Sequence, residues 1–212
     1  MDDHLLRFDK KKTFCFIDFE TLNLCLNFNH NLPWQCAMLK VKGNEAVDSK
    51  DFYIKWDSDL KISEDAARIT RYSQLTMEQR GLPPEDVFPT IRDWLDSADY
   101  IVGHNLFHFD LYLIKDFYNM MGHNYRHLTR KIIDTNSLAK GIKFGTPYKS
   151  SDNLTEYQYR MSSTVKKGVK TNLTALGKEY GIDHDYENLH NALVDLDLNL
   201  KIWNKIKWQV EI

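Results

Sequence analysis

Cysteine and proline are both scarce in this chain of 212 residues, which contains three cysteines and five prolines. Cys15, Cys25 and Cys36 have no metal-ligand spacing, and their odd number argues against a framework of disulfides. Long apolar runs are missing too, which excludes a membrane-spanning helix, and residues 1–12 contain no apolar core of a signal peptide. These absences predict a protein of a reducing compartment, with the cytoplasm as the default.

The chain also lacks an excess of charge of either sign, since its formal net charge is −2 at pH 7. This balance does not indicate nucleic-acid binding, and it does not exclude it, because bound metal ions and local basic segments can offset clustered acids. With 42% hydrophobic and 27% charged residues, the composition suits one globular domain over residues 1–212. Within it, we expect residues 1–12 to form a flexible N-terminus.

Hydrophobic periodicity predicts a sheet that begins with a hairpin and continues with alternating strands and helices. Apolar or alternating runs predict five strands, at residues 13–17, 34–42, 46–56, 100–103 and 131–133. Apolar residues at helical spacing predict helices at residues 85–95, 110–121, 136–140, 172–180 and 191–207. Residues 144–170 lack a helical period and predict a long variable loop or a β-ribbon. The whole pattern indicates a three-layer α/β domain with a mixed sheet, in which sites gather where central strands end.

Two carboxylates follow the first predicted strand. Asp18 and Glu20 are two residues apart, and in extended backbone such residues project to the same side. Two like charges beside a buried strand are costly unless something positive binds between them, and a divalent cation is the simplest partner. The alternative interpretation is a strand-end turn with two solvated acids.

Three further polar residues stand at the starts of predicted helices. Asp110 follows the fourth strand, and it would lie beside Asp18 if the first and fourth strands were parallel neighbours. His190 and Asp195 are five residues apart, which suits a histidine just before the last helix and an aspartate one turn inside it. Taken separately, Asp110 could also be a surface residue favoured by the helix dipole, and His190 and Asp195 could be an exposed histidine and a surface acid.

Together the three segments resemble the three motifs of the DEDDh family of 3′–5′ exonucleases, which includes epsilon-type (DnaQ-like) proofreading subunits, RNase T, oligoribonuclease and the Trex enzymes. The matching stretches are Asp18-Phe19-Glu20-Thr21, Gly103-His104-Asn105 with Phe109-Asp110, and His190 through Asp195. The resemblance covers residues 13–205 and preserves the order of the motifs. It implies an RNase H-like fold with a five-stranded mixed sheet flanked by helices.

The resemblance also implies a two-metal-ion hydrolysis that releases nucleoside 5′-monophosphates from 3′ ends of DNA or RNA. Asp18, Glu20, Asp110 and Asp195 would hold two Mg²⁺ or Mn²⁺ ions, with Asp18 bridging both ions. Glu20 and Asp195 would help to hold one ion, and Asp110 would orient the other through water. His190 would take the proton of the attacking water near neutral pH.

The same comparison implies contacts to the end of the substrate strand. The backbone of Thr21 and Leu22 would meet the terminal 3′-OH, and Leu24 would stack against the last base, although a core position is the alternative for Leu24. The middle motif adds Asn105 and Phe109 to the expected substrate-binding residues. Two departures from the family text concern this region. Asn23 replaces a glycine, which asparagine tolerates by accepting left-handed backbone, and one extra residue separates Asn105 from Asp110.

The expected partners are single-stranded or frayed 3′ ends of DNA or RNA, a polymerase or another replication or repair protein, and a second copy in a homodimer; a membrane is not expected. Tyrosines and cations in residues 144–170 could stack on bases and track phosphates, and a solvated loop is the alternative. The residues concerned are Tyr148, Lys149, Tyr157, Tyr159, Arg160, Lys166, Lys167 and Lys170. Two other functions stay open: a non-catalytic module that binds nucleic-acid ends or a polymerase, and an enzyme of this fold that cuts internally.

Overall fold

The computed structural model describes residues 5–24, 31–58 and 61–212. Its described part contains a six-stranded sheet in the order β4-β3-β2-β1-β5-β6. The strands are β1 (Thr13–Thr21), β2 (Pro33–Lys42), β3 (Glu45–Ile54), β4 (Gly81–Leu82), β5 (Tyr100–Gly103) and β6 (Ile132–Asp134). The helices are α1 (Glu64–Thr70), α2 (Gln74–Arg80), α3 (Pro84–Ser97), α4 (Asp110–Met120), α5 (Thr135–Lys143), α6 (Leu154–Ser163), α7 (Leu173–Glu179) and α8 (Ala192–Ile206).

The sheet is mixed, and β1 lies at its centre. β1 pairs antiparallel with β2 and parallel with β5, where Cys15 is opposite Ile101 and Phe16 is opposite Val102. The predicted mixed sheet is therefore confirmed. The fourth predicted strand is β5, and its parallel pairing with β1 meets the condition under which Asp110 lies beside Asp18. The sixth strand was not predicted, because β4 consists of two residues that pair with Tyr53 and Ile54 at the end of β3.

Side chains of β1 alternate between two hydrophobic cores, one on each face of the sheet. Phe14 and Phe16 pack on the face that is covered by α5 and α8. Cys15, Ile17 and Phe19 pack on the opposite face, beneath α3 and α4. Because both faces are covered by helices, the expected three-layer arrangement is confirmed, and most of β1 is buried.

The prediction of a loop or β-ribbon over residues 144–170 was wrong, since this stretch contains α6. Tyr157 and Met161 are four residues apart, so the alternation that indicated a strand is equally a helical repeat. Asn153 caps α6, and both apolar side chains enter the core beside α8. Gln158 accepts a hydrogen bond from the Asp134 N–H at 2.7 Å and donates one to the Ile132 carbonyl at 3.0 Å. The helix thereby covers the edge strand β6.

Residues 5–12 differ from the flexible N-terminus that we expected. Leu5 is only 2% exposed and Leu6 is buried in the core that lies under α8. The Leu6 N–H also donates to the Ile212 carbonyl at 2.6 Å, so this segment is tied to the far end of the described chain. In the described residues, no helix combines the length and the apolar character that a membrane span needs.

Candidate active site

Three carboxylates converge at the end of β1. Asp18 and Glu20 project from the same side of the strand, and Asp195 reaches them from the first turn of α8. One oxygen atom from each of the three side chains lies within 4.8 Å of the others. Asn191 fixes the start of α8 by accepting a hydrogen bond from the Leu193 N–H at 3.2 Å, which places Asp195 one turn inside the helix.

The acidic cluster (Asp18, Glu20 and Asp195) carries more negative charge than its surroundings neutralise. Burial, together with the charges of Asp195 and Asp110, raises the pKa of Glu20 to about 8. Burial also raises the pKa of Asp18 well above its ordinary value, and the neighbouring acids Asp110, Glu20 and Asp195 add to this effect. Burial raises the pKa of Asp195 as well, although the nearby imidazoles of His190 and His184 oppose the shift. Closely spaced carboxylate oxygens are suitable ligands for hard divalent cations. A bound cation would balance the negative charges of the three carboxylates and so favour their ionised form.

Asp110 joins the acidic cluster from the start of α4. It is 2% exposed, and one of its oxygens accepts a hydrogen bond from the Phe19 N–H of β1 at 3.2 Å. Burial raises its pKa to about 7, although backbone hydrogen bonds from Phe19 and Asp110 itself act in the opposite direction. Asp110 and Asp18 lie close together, as expected, and the charge of Asp110 raises the pKa of Asp18. Its role as a metal ligand stays a prediction.

His190 stands at the solvent edge of the acidic cluster. Its backbone is left-handed, with φ of 66°, and its N–H donates to Asp195 Oδ1 at 3.3 Å. Its exposed side chain lines a small cavity of about 80 Å³ together with residues of β2 and of the α1–α2 connection, among them Trp34, Gln35 and Arg71. All five residues predicted to be catalytic are thus brought to one edge of the sheet.

Comparison with known families gives this geometry a context. A family model of the RNase T type, described as exonuclease, matches residues 15–203, which is most of the chain. The chain belongs to this exonuclease family. With its acidic cluster at the end of β1, it is a 3′–5′ exonuclease domain of the DEDD type.

Relatives of the exonuclease domain include larger proteins. This chain is 28% identical over 203 residues to the PolC-type DNA polymerase III of Mycoplasma pneumoniae. The alignment covers 96% of this chain and 12% of the polymerase. Exonuclease I superposes with a TM-score of 0.74 at 17% identity, over 93% of this chain and 41% of that protein. E. coli Exonuclease I in complex with a dT13 oligonucleotide superposes with a TM-score of 0.69 at 18% identity, with coverages of 93% and 41%. The chain spans less than half the length of each of these relatives. The structural likeness to Exonuclease I confirms the expected RNase H-like fold.

The middle motif of the exonuclease is held by a residue whose full role was not predicted. Asp134 caps α5 by accepting hydrogen bonds from the Asn136 and Ser137 N–H groups. It also accepts a hydrogen bond from the Asn105 N–H at 2.9 Å and one from the Phe107 N–H at 3.3 Å. This buried carboxylate therefore fixes the loop that leads into Asp110. No local pattern could have revealed these contacts, because they join β6 to the end of β5.

Two residues that were predicted to bind substrate, Thr21 and Leu22, already make contacts within the exonuclease. The Thr21 hydroxyl donates to the Asn23 carbonyl at 2.5 Å, and the Leu22 side chain packs against Trp34. The Leu22 N–H donates to the Leu32 carbonyl at 3.0 Å, so it is already engaged within the protein.

The other predicted substrate residues differ in their exposure. Leu24 is 50% exposed at the end of this turn, which excludes the alternative core position for its side chain. Phe109 is half-buried against the core beneath α4, while Asn105 is half-buried, with φ of 70°.

Asn23 does not use the left-handed backbone that we expected at the position of the family glycine. Its φ is not positive, and the residue is held instead by the side chain of Asn31. The Asn31 amide accepts a hydrogen bond from the Asn23 N–H at 2.9 Å and donates one to the Asn23 carbonyl at 2.7 Å. The turn after β1 is therefore stabilised by a side-chain amide rather than by a glycine conformation.

Two of the three tyrosines expected to stack on bases belong to the core instead. Tyr148 and Tyr157 are buried and pack edge to face at 5.3 Å. Tyr159, on the other side of α6, is 62% exposed, and its ring lies 6.4 Å from that of Phe107 in the middle motif. Of this set, Tyr159 is the aromatic side chain that is available to a nucleic acid.

Proposed function

We propose that this domain is a metal-dependent exonuclease that removes nucleoside 5′-monophosphates from the 3′ ends of single-stranded or frayed nucleic acids. The acidic cluster carries this proposal, because the chain buries these carboxylates against Asp110 with raised pKa values. Such an arrangement destabilises a metal-free protein, so a role in binding cations accounts for its presence. A module that only binds nucleic acid has no use for it.

The proposed ligands come from three structural elements, β1, α8 and α4. Asp18 and Glu20 belong to the rigid central strand, and Asp195 belongs to the helix that packs on it. Asp110 is held against the same strand by its hydrogen bond from Phe19. Two Mg²⁺ or Mn²⁺ ions bound by these carboxylates would activate water and stabilise the charge on the leaving 3′ oxygen.

His190 is proposed to remove the proton from the attacking water. Its side chain lines the small cavity described above and is accessible to solvent. The hydrogen bond from its backbone to Asp195 ties the position of the imidazole to a proposed metal ligand. An imidazole that is open to solvent can take the proton of the attacking water and release it to solvent afterwards.

The proposed substrate is a single strand that enters past Leu24 and Tyr159. Both side chains are exposed. The Tyr159 ring could stack on a base, which contributes about 1–3 kcal/mol per base in single-strand binding, and Leu24 could pack against a base through its apolar side chain. The dT13 complex of Exonuclease I and the relationship to a PolC-type polymerase support DNA as one substrate and a polymerase as one partner.

Oligonucleotides labelled at either end test the proposal. With Mg²⁺, a 5′-labelled strand should shorten one nucleotide at a time, while a 3′-labelled strand should release labelled mononucleotide at once, and a chelator should stop both reactions. Asp18→Asn and Asp195→Asn should abolish hydrolysis, whereas the exposed control Asp116→Asn on α4 should not. Matched DNA and RNA strands would identify the preferred sugar.

Three results would contradict the proposal. If Asp18→Asn still released nucleotides at the wild-type rate, the acidic cluster would not be the catalytic centre. If the wild-type protein bound strands but cleaved none in the presence of Mg²⁺ or Mn²⁺, the domain would be a binding module. Cleavage of a circular strand would instead show that it cuts internally.

A further inference from the structure

Three residues other than glycine have a positive φ in the described part of the chain, and all three lie around the candidate active site. They are Arg71 (54°), Asn105 (70°) and His190 (66°). Asparagine enters this conformation readily, but arginine and histidine do so at a steric cost. Backbone conformations of this kind persist where the surrounding structure holds them, and they concentrate at functional sites.

Arg71 forms the C-terminal cap of α1. Its backbone N–H donates to the Ala67 carbonyl, a position at which glycine is the usual residue because of the left-handed backbone. The arginine side chain crosses from α1 to the loop before α8. One guanidinium nitrogen donates to Asn188 Oδ1 at 2.8 Å, and the other donates to the Glu187 carbonyl.

The loop that Arg71 contacts carries His190. We call residues 185–191 the His190 segment. The Asp185 carboxylate closes a 3-10 turn over Tyr186–Asn188. It accepts one hydrogen bond from the backbone N–H of Asn188 at 3.3 Å and one from the side-chain amide of Asn188 at 2.5 Å. After that turn, only Leu189 separates Asn188 from His190. The segment is therefore held at two points: Arg71 binds Glu187 and Asn188, and the His190 N–H donates to Asp195.

We infer that Arg71 is a positioning residue, which holds the His190 segment so that the imidazole stays over the acidic cluster. This inference rests on the proposed function of His190 as the proton acceptor. An arginine suits the task because its planar fork reaches two separate acceptors, whereas a lysine ammonium would act as a single point charge. The two hydrogen bonds also offset the strain of the left-handed backbone at Arg71.

Arg71→Gly tests the inference without disturbing the helix cap, because glycine adopts a φ of 54° freely. We expect kcat to fall roughly 10- to 100-fold, the range for a misplaced catalytic group, while KM and Mn²⁺ affinity by calorimetry stay near wild type. Arg71→Lys should recover only part of the loss. The matched control is Arg68→Ala on the same helix, whose exposed side chain pairs with Asp65 and should leave the rate unchanged.

A double-mutant cycle distinguishes positioning from direct substrate binding. In a His190→Ala background, Arg71→Gly should have no further effect on kcat, since it acts through the imidazole. Amide hydrogen exchange should also quicken in residues 185–191 of Arg71→Gly and not in Arg68→Ala, a readout that does not depend on activity.

Other outcomes would overturn the inference. A loss that is additive with His190→Ala would show that Arg71 does not act through the histidine. A raised KM with a smaller salt dependence would show that Arg71 binds a phosphate directly. If the wild type is active and His190→Ala lowers the activity but Arg71→Gly does not, this inference alone is refuted and the proposed function stands. An inactive wild type, or a His190→Ala protein with full activity, would refute the proposed function.

Discussion

Replacing Glu20 by glutamine should stabilise the metal-free protein while it abolishes activity. The pKa of Glu20 rises from an ordinary value of 4.5 to about 8 because the side chain is buried beside Asp195 and Asp110. A proton therefore binds more tightly to the folded protein than to the unfolded chain. The stability that this proton contributes is complete below about pH 4.5 and is lost as the pH rises through about 8.

The size of the effect follows from the same pKa. Ionising Glu20 in the folded, metal-free protein costs at most about 5 kcal/mol relative to the unfolded chain. Glutamine removes this charge but leaves Asp18 and Asp195 in place, and its amide must still be buried, so we expect a gain of roughly 2 kcal/mol above pH 8. For a domain of this size, that gain corresponds to a rise in Tm of roughly 4–8 °C.

Thermal unfolding in the presence of a chelator, followed by circular dichroism between about pH 5 and pH 9, measures this difference. The gap between Glu20→Gln and wild type should be largest at about pH 9 and should nearly close at about pH 5, where Glu20 is protonated. Glu45→Gln, which changes an exposed acid at the start of β3, is the matched control and should leave Tm unchanged. Adding Mn²⁺ at about pH 8 should raise the Tm of wild type more than that of Glu20→Gln.

An equal or lower Tm for Glu20→Gln at about pH 9, or a gap that widens toward low pH, would refute the electrostatic account of the acidic cluster. If Mn²⁺ stabilised both proteins equally, Glu20 would not be a ligand.

Three further predictions concern residues of α5 and α6. Gly141→Ala should lower Tm, because a methyl group there would lie 1.6 Å from the hydroxyl of the core residue Tyr157, and thermal unfolding checks this. Gln158→Ala should lower the free energy of unfolding by about 1–3 kcal/mol in urea titrations, since the Asp134 N–H loses its partner in a buried site. Tyr159→Ala should weaken binding of a single strand to the Asp18→Asn protein by about 1–3 kcal/mol in fluorescence anisotropy, and an unchanged affinity would exclude Tyr159 from the substrate path.

Much of the fold could be predicted from residue order because its signals are local. The continuous apolar run at residues 13–17 predicts a strand that is buried on both faces, whatever its neighbours are. Asp134 directly before α5 is recognisable as a helix cap from its residue type alone. Residues 144–170 show where local patterns do not predict the secondary structure. Tyr157 and Met161 satisfy a period of two and a period of four equally, and only the packing of α6 on β6 decides between them.

By itself, the sequence determined which residue types are available for chemistry and the order in which they occur. Asp18 and Glu20 share one side of a strand because of the period of extended backbone, and Asp195 lies one turn inside a helix because of helical spacing. The tertiary structure alone decided that these acids lie within 4.8 Å of one another, that burial raises their pKa values, and that Arg71 reaches the His190 segment. Desolvation and hydrogen bonds between distant segments depend on how the layers pack, and no local pattern records them.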